Sequence, residues 1–203
     1  MQAAHPAVRV AQIGPNAIIQ TVGALEEAWG RAEAQAFLQR IGRDDLVERL
    51  PATMVDEQEF VALIGALRAE LGISAAGQIL ARSGERTADY LLANRIPAPA
   101  RRILPLLPPA IGLRILLRAI AAHAWTFAGT GRFSYSVAGG RATVCLANCP
   151  ECRGNAAADP ICRYYEACFQ RLLRTLITPR LVVSETACMA SGAEACRFAI
   201  VWK

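Results

Sequence analysis

The seven cysteines of this 203-residue chain, Cys145, Cys149, Cys152, Cys162, Cys168, Cys188 and Cys196, all lie after residue 144. An odd number of thiols argues against a closed disulfide framework and for metal or thiol chemistry. The fold must therefore gather sulfur in its C-terminal part, while the first 144 residues supply apolar packing without any cysteine. A chain of this length holds one domain with a sizeable core, and we read residues 1–203 as such. Its helical part covers about 1–123 and its sheet part about 124–203.

The helical part follows from apolar periodicity. Asn16 caps a helix through about Trp29, and Ala32 to Ile41 forms the next. Asp56 caps a segment in which Phe60, Leu63, Ile64, Leu67 and Leu71 recur at helical spacing until Gly72 stops it. Ala75 to Asn94 continues as a helix, Pro97 and Pro99 break the chain, and Pro108-Pro109 opens a helix through about His123. From Trp125 the pattern changes. Phe127, Phe133, Tyr135 and Val137 lie among Gly129, Gly131, Gly139 and Gly140, which predicts a hairpin. Asp159-Pro160 starts a helix that ends near Pro179, and strands follow over Arg180 to Thr186 and Arg197 to Trp202. Helices followed by an antiparallel sheet with one inserted helix make an α+β fold.

Composition excludes several classes. A hydrophobic fraction of 54% rules out a disordered chain. The net charge of +5 rests on arginine, Lys203 being the single lysine, and the arginines form no block, so no nucleic-acid partner is expected. Met1 to Val10 lacks the pattern of a secretory signal, which predicts a cytoplasmic protein, and His5 in that stretch has no expected role. The most apolar stretch, Ile103 to Ala122, carries Pro105, Pro108, Pro109, Arg114 and Arg118. It is no membrane span and makes at most peripheral membrane contact.

Two thiol groups compete for the chemistry. Cys162 near the start of the inserted helix, Glu185 and Cys188 at a strand end and Cys196 at the next strand's start can converge into a zinc tetrahedron. The alternative is that these cysteines are small buried hydrophobes. Cys145, Cys149 and Cys152 have the Cys-x3-Cys-x2-Cys spacing of radical S-adenosylmethionine clusters, yet too little chain follows them for the barrel such enzymes need. Another iron–sulfur cluster or a second thiol site is one reading, and partly exposed loop thiols are the favoured one. Cys168 falls on the apolar side of its helix as a core residue. His123, Trp125, Phe127, Phe133 and Tyr135 are candidates to bind a planar ligand, with His123 as an axial ligand to its metal or simply a hydrogen-bonded structural histidine. No catalytic triad and no nucleotide-binding glycine loop is recognisable.

Three stretches, 89–97 (DYLLANRIP), 123–129 (HAWTFAG) and 148–154 (NCPECRG), resemble bacteriochlorophyll-pathway proteins of the 4-vinyl reductase type. The tail from Glu185-Thr186-Ala187-Cys188 to Cys196-Arg197-Phe198 resembles the wider 4-vinyl reductase domain family. That family is similar to the sensor domains of phenol-responsive activators and to small subunits of vesicle-tethering complexes. Its aromatic sensors hold zinc with Cys-x22-Glu-x2-Cys-x7-Cys, a spacing that Cys162, Glu185, Cys188 and Cys196 reproduce. Ala167-Cys168 departs from the glycine that such sensors tend to carry there. The resemblance implies structural Zn2+, helices packed on an antiparallel sheet, a homodimer and a place in bacteriochlorophyll biosynthesis. It implies one of three activities. The first is a carrier of a tetrapyrrole between magnesium chelatase and the following enzymes, with Arg101, Arg102, Arg114 and Arg118 as candidate partners of its propionates. The second is a vinyl reductase using an external reductant, whose hydride source no motif here supplies. The third is a small-molecule sensor module, which would normally be joined to an output domain.

Overall fold

The structure is a computed structural model that describes residues 11–202, so His5 and the Met1 to Val10 stretch lie outside the described residues. Helices α1 (Asn16–Trp29), α2 (Arg31–Arg40) and α3 (Asp44–Glu48) lead to the long α4 (Glu57–Asn94), with a short bridge between β1 (Gln12–Ile13) and β2 (Val55–Asp56). After α5 (Ala98–Ile103) and α6 (Pro109–Ala122) comes α7 (Trp125–Ala128), then β3 (Arg132–Ala138), β4 (Arg141–Ala147), α8 (Arg163–Leu176), β5 (Val182–Ala187) and β6 (Cys196–Val201). The four strands form an antiparallel sheet in the order β3-β4-β6-β5. The α+β architecture is the one expected from the sequence.

Alternation builds the core. On β4 and β6, Ala142, Val144, Leu146, Cys196, Phe198 and Ile200 are buried, while their neighbours along each strand are more exposed. This face receives α8, whose Phe169, Leu173 and Leu176 are buried at helical spacing. On its other side α8 packs against α4, which also packs against α1, so one apolar core runs from Ile13 to Ile200. By length and composition alone α4 could cross a membrane. Here Gly72 interrupts it at φ 76°, and its apolar positions pack against α1 and α8. The α4–α8 crossing is close at Gly84, where a Cβ would overlap the Tyr164 carbonyl.

Several boundaries differ from expectation. Asp56 caps α4 as read, accepting from the Gln58 N–H at 2.9 Å. Asn16 does not cap α1, because Pro15 holds the cap position and no side chain bonds there. Phe127 belongs to the single turn α7 rather than to the hairpin, which begins at Arg132. α8 starts at Arg163 and not at Asp159-Pro160, since Glu151 from another loop caps it.

Candidate metal centre

Five of the seven cysteines meet between the start of α8 and the end of the sheet nearest it. Cys162 occupies the N-cap of α8, and Cys196 opens β6 opposite Leu146. Glu185 and Cys188 are three residues apart, a spacing that points side chains to opposite faces of a regular strand. A bulge between Glu185 and Ala187 adds one residue to β5 and brings both to the same side. The ligand atoms of Cys162, Glu185, Cys188 and Cys196 lie within 4.8 Å of one another.

A second set shares that property: Cys149, Cys152, Cys162 and Cys196. Asn148 takes a left-handed conformation, φ 53°, and turns the chain out of β4 so that both following cysteines face inward. Cys149 is 0% exposed and Cys152 is 2% exposed. The reading of these two as partly exposed loop thiols is therefore corrected. Cys145 is separate from them, in the middle of β4 on the face away from Val144 and Leu146. Cys168 is buried with Ala88 and Leu172. Its thiol is pushed up to about 12 by burial, as expected for a packing residue.

Glu151, between the two loop cysteines, holds this arrangement in place. Its carboxylate accepts the N–H groups of Tyr164 at 2.9 Å and Tyr165 at 3.1 Å, which caps the first turn of α8. Arg68 of α4 lies 3.5 Å from that carboxylate and donates to the carbonyls of Glu151 and Ile161. Both side chains are buried. A second clasp fixes the same loop from outside. Arg153 pairs with Glu57 at 2.7 Å and donates to the Asn148 carbonyl at 3.0 Å.

The sulfurs are too close to ionise together. Burial pushes the thiols of Cys149 and Cys162 up. Hydrogen bonds from Cys149, and then from Cys162, hold Cys152 well below the usual thiol range. At Cys188 the neighbouring Cys152 acts to raise, yet Cys162 and Cys196 outweigh it and bring the thiol to about 6. Burial raises the Glu185 carboxyl to about 7. Its Oε2 accepts the Cys162 N–H at 2.7 Å, while its buried Oε1 has no hydrogen-bond partner. Clustered thiols with an orphaned carboxylate oxygen form a donor set that fits a borderline-soft divalent cation. Such an ion relieves the crowding that opposes ionisation here.

The candidate ligand residues are spread out. Tyr135, with Arg114, Ile115, Arg118, Ser136 and Val137, lines a groove of about 450 Å³ between α6 and β3. Phe127 and Phe133 instead pack against the core, their ring centroids 5.9 Å apart. Trp125 is exposed, and the exposed His123 bonds its Nδ1 to the Ala119 carbonyl at 2.9 Å. None of these four lines the groove. Arg101 and Arg102 are exposed on α5.

Residues 143–201 match the 4-vinyl reductase domain, which spans this centre apart from α4 and its clasps. Across 197 residues the chain is 40% identical to the bacteriochlorophyll synthase 23 kDa chain of Cereibacter sphaeroides, covering 95% of this chain and 91% of that one. The corresponding protein of Rhodobacter capsulatus is 39% identical over 189 residues, covering 93% and 86%. The chain belongs to this bacteriochlorophyll-pathway family. Among solved structures, the fold resembles the phenol-responsive sensory domain of the transcription activator PoxR, with TM-score 0.53, 14% identity and 72% and 74% of the two chains covered. It also resembles a trafficking protein particle complex subunit 3 from Naegleria fowleri, with TM-score 0.51, 12% identity and 72% and 95% covered. An H-NOX domain from Shewanella oneidensis matches with TM-score 0.56, 12% identity and 94% and 99% covered. These three likenesses concern the fold alone.

Sequence reasoning missed Arg68, Glu151, Glu57 and the groove-lining Ile115, Ser136 and Val137. A charged residue flanked by cysteines in a polar loop gives no local sign of burial, and its partner Arg68 is 83 residues away. A helix without an N-cap side chain at Cys162 was the one available hint that another segment supplies the cap.

Proposed function

We propose that this protein binds a tetrapyrrole intermediate of bacteriochlorophyll synthesis, of the Mg-protoporphyrin or protochlorophyllide type. It carries that pigment from magnesium chelatase to the following enzymes and does not transform it. The observation that supports this reading is the groove between α6 and β3. Ile115, Val137 and the Tyr135 ring offer apolar and stacking surface, and Arg114 and Arg118 offer guanidinium forks to propionates. Arg114 and Arg118 stand one helical turn apart beside the exposed Ile111 and Ile115. That strip has both the apolar surface and the cations that a carboxylated macrocycle needs.

The metal in this reading is a structural Zn2+ held by Cys162, Glu185, Cys188 and Cys196. The centre and the groove lie at opposite ends of the sheet, since Cys196 pairs with Leu146 whereas Val137 pairs with Ala142. Four residues of strand separate those levels, about 13 Å. An ion there shapes the fold without touching a pigment in the groove. Vinyl reduction needs a hydride or electron donor held against the substrate, and the groove's guanidinium, hydroxyl and apolar groups supply neither.

The test is an absorbance time course of the protein with divinyl protochlorophyllide, with and without NADPH or reduced ferredoxin. A saturable Soret shift that is complete on mixing and unaffected by reductant is the expected result. A slow blue shift that requires reductant and yields a monovinyl product would establish reduction and overturn the carrier reading.

A further inference from the structure

We propose that the cysteine cluster holds two divalent zinc-class ions, bridged by the thiolates of Cys162 and Cys196. One ion takes Cys149 and Cys152 as its terminal ligands, and the other takes Glu185 and Cys188. The proposal rests on the metal-binding part of the proposed function and extends it to a second ion.

The two donor sets overlap only in Cys162 and Cys196. A single tetrahedral ion uses four donors and would leave two of the six idle. The donors divide instead into two groups of four that share an edge. Sulfur separations support this division. Tetrahedral zinc with bonds of about 2.3 Å sets sulfur–sulfur edges of about 3.8 Å. In the first set Cys149–Cys162 is 3.7 Å and Cys152–Cys196 is 3.4 Å. In the second, Cys162–Cys188 and Cys188–Cys196 are both 3.8 Å. The shared edge, Cys162–Cys196, is 3.5 Å. Both sets are thus at ligand spacing at once, and neither has to open for the other to close.

The remaining donors agree. The free Glu185 Oε1 supplies the one oxygen position, and its other oxygen is fixed on the Cys162 N–H. Charge also favours two ions. Five thiolates and a carboxylate around one dication would leave a large buried negative charge. A second dication removes most of it, and the start of α8 faces what remains. The Met189 N–H lies 3.5 Å from the bridging Cys196 sulfur, a donor suited to a thiolate.

The experiment is metal analysis of the intact purified chain by mass spectrometry, followed by Co2+ titration of the metal-stripped protein under electron paramagnetic resonance. The expected content is two zinc per chain. The cobalt signal should rise through the first equivalent and fall through the second, as bridging sulfurs couple the two spins. The C149S/C152S double variant should keep one zinc, and its cobalt signal should rise to one equivalent without falling. One zinc per chain in the wild type, with a monotonic cobalt signal, overturns the two-ion centre and leaves the single structural zinc standing. No bound metal overturns both, and acid-labile sulfide with a visible iron–sulfur band also overturns both. Should the double variant fail to fold, the wild-type stoichiometry and the cobalt titration decide alone.

Discussion

Between Cys149 and Cys152, the Glu151 carboxylate turns from the sulfurs to cap α8, and Arg68 turns from the apolar face of α4 to meet it. Burial raises the Glu151 carboxyl to about 8, and Arg68 and the two helix N–H groups act against that rise. A buried pair of this kind is costly to break from one side. Arg68→Ala strands the Glu151 carboxylate and should lower stability by about 3–5 kcal/mol, read as a shifted urea midpoint. Glu57 behaves in the opposite sense. Burial acts to raise its carboxyl, but Arg153 and Thr130 prevail and hold it below the ordinary value of 4.5. A lowered folded-state value favours the ionised form, so this clasp stabilises the protein above that ordinary value. Its contribution disappears as pH falls through the depressed one. Thermal melting as a function of pH should show this acid limb, and it should flatten in Glu57→Gln. An acid limb identical in the variant would mean that Glu57 contributes nothing to it.

At the scale of elements, the α4–α8 contact decides how the helical part meets the sheet. Gly84→Ala places a methyl group against the Tyr164 carbonyl and should cost about 1–3 kcal/mol. Gly65→Ala, on the same helix with open space around it, should instead stabilise by roughly 0.5–1 kcal/mol. Denaturant unfolding of the two variants checks the opposite signs. The elements were legible where periodicity was long. α1, the two halves of α4, α6, α8 and the four sheet strands all follow from apolar spacing and turn residues. The short α3 and α5 and the two-residue β1 and β2 were not legible, because a few residues carry no period. In the site, the meeting of Cys162, Glu185, Cys188 and Cys196 was legible from strand ends and helix start, and from the family spacing. The inward turn of Cys149 and Cys152 was not. It depends on the Asn148 conformation and on clasps from Arg68 and Glu57, both distant in sequence.

For the whole molecule, the proposed metal centre sits at one end of the sheet and the proposed pigment groove at the other. Removing the metal should therefore weaken the fold first and pigment binding only as a consequence. Chelation should lower the melting temperature in proportion to the binding energy lost, about 4 kcal/mol at a thousandfold excess of metal over its Kd. The groove is tested by charge reversal on an exposed face, which should leave the fold intact. The decisive measurement is an equilibrium fluorescence titration of the protein with divinyl protochlorophyllide, comparing wild type with the R114E/R118E variant. A carrier should show saturable binding at one pigment per chain, weakened at least about tenfold in the variant, since a charged hydrogen bond contributes roughly 1.5–3 kcal/mol. Equal affinity in both proteins, at an unchanged melting temperature, would contradict a pigment site in this groove.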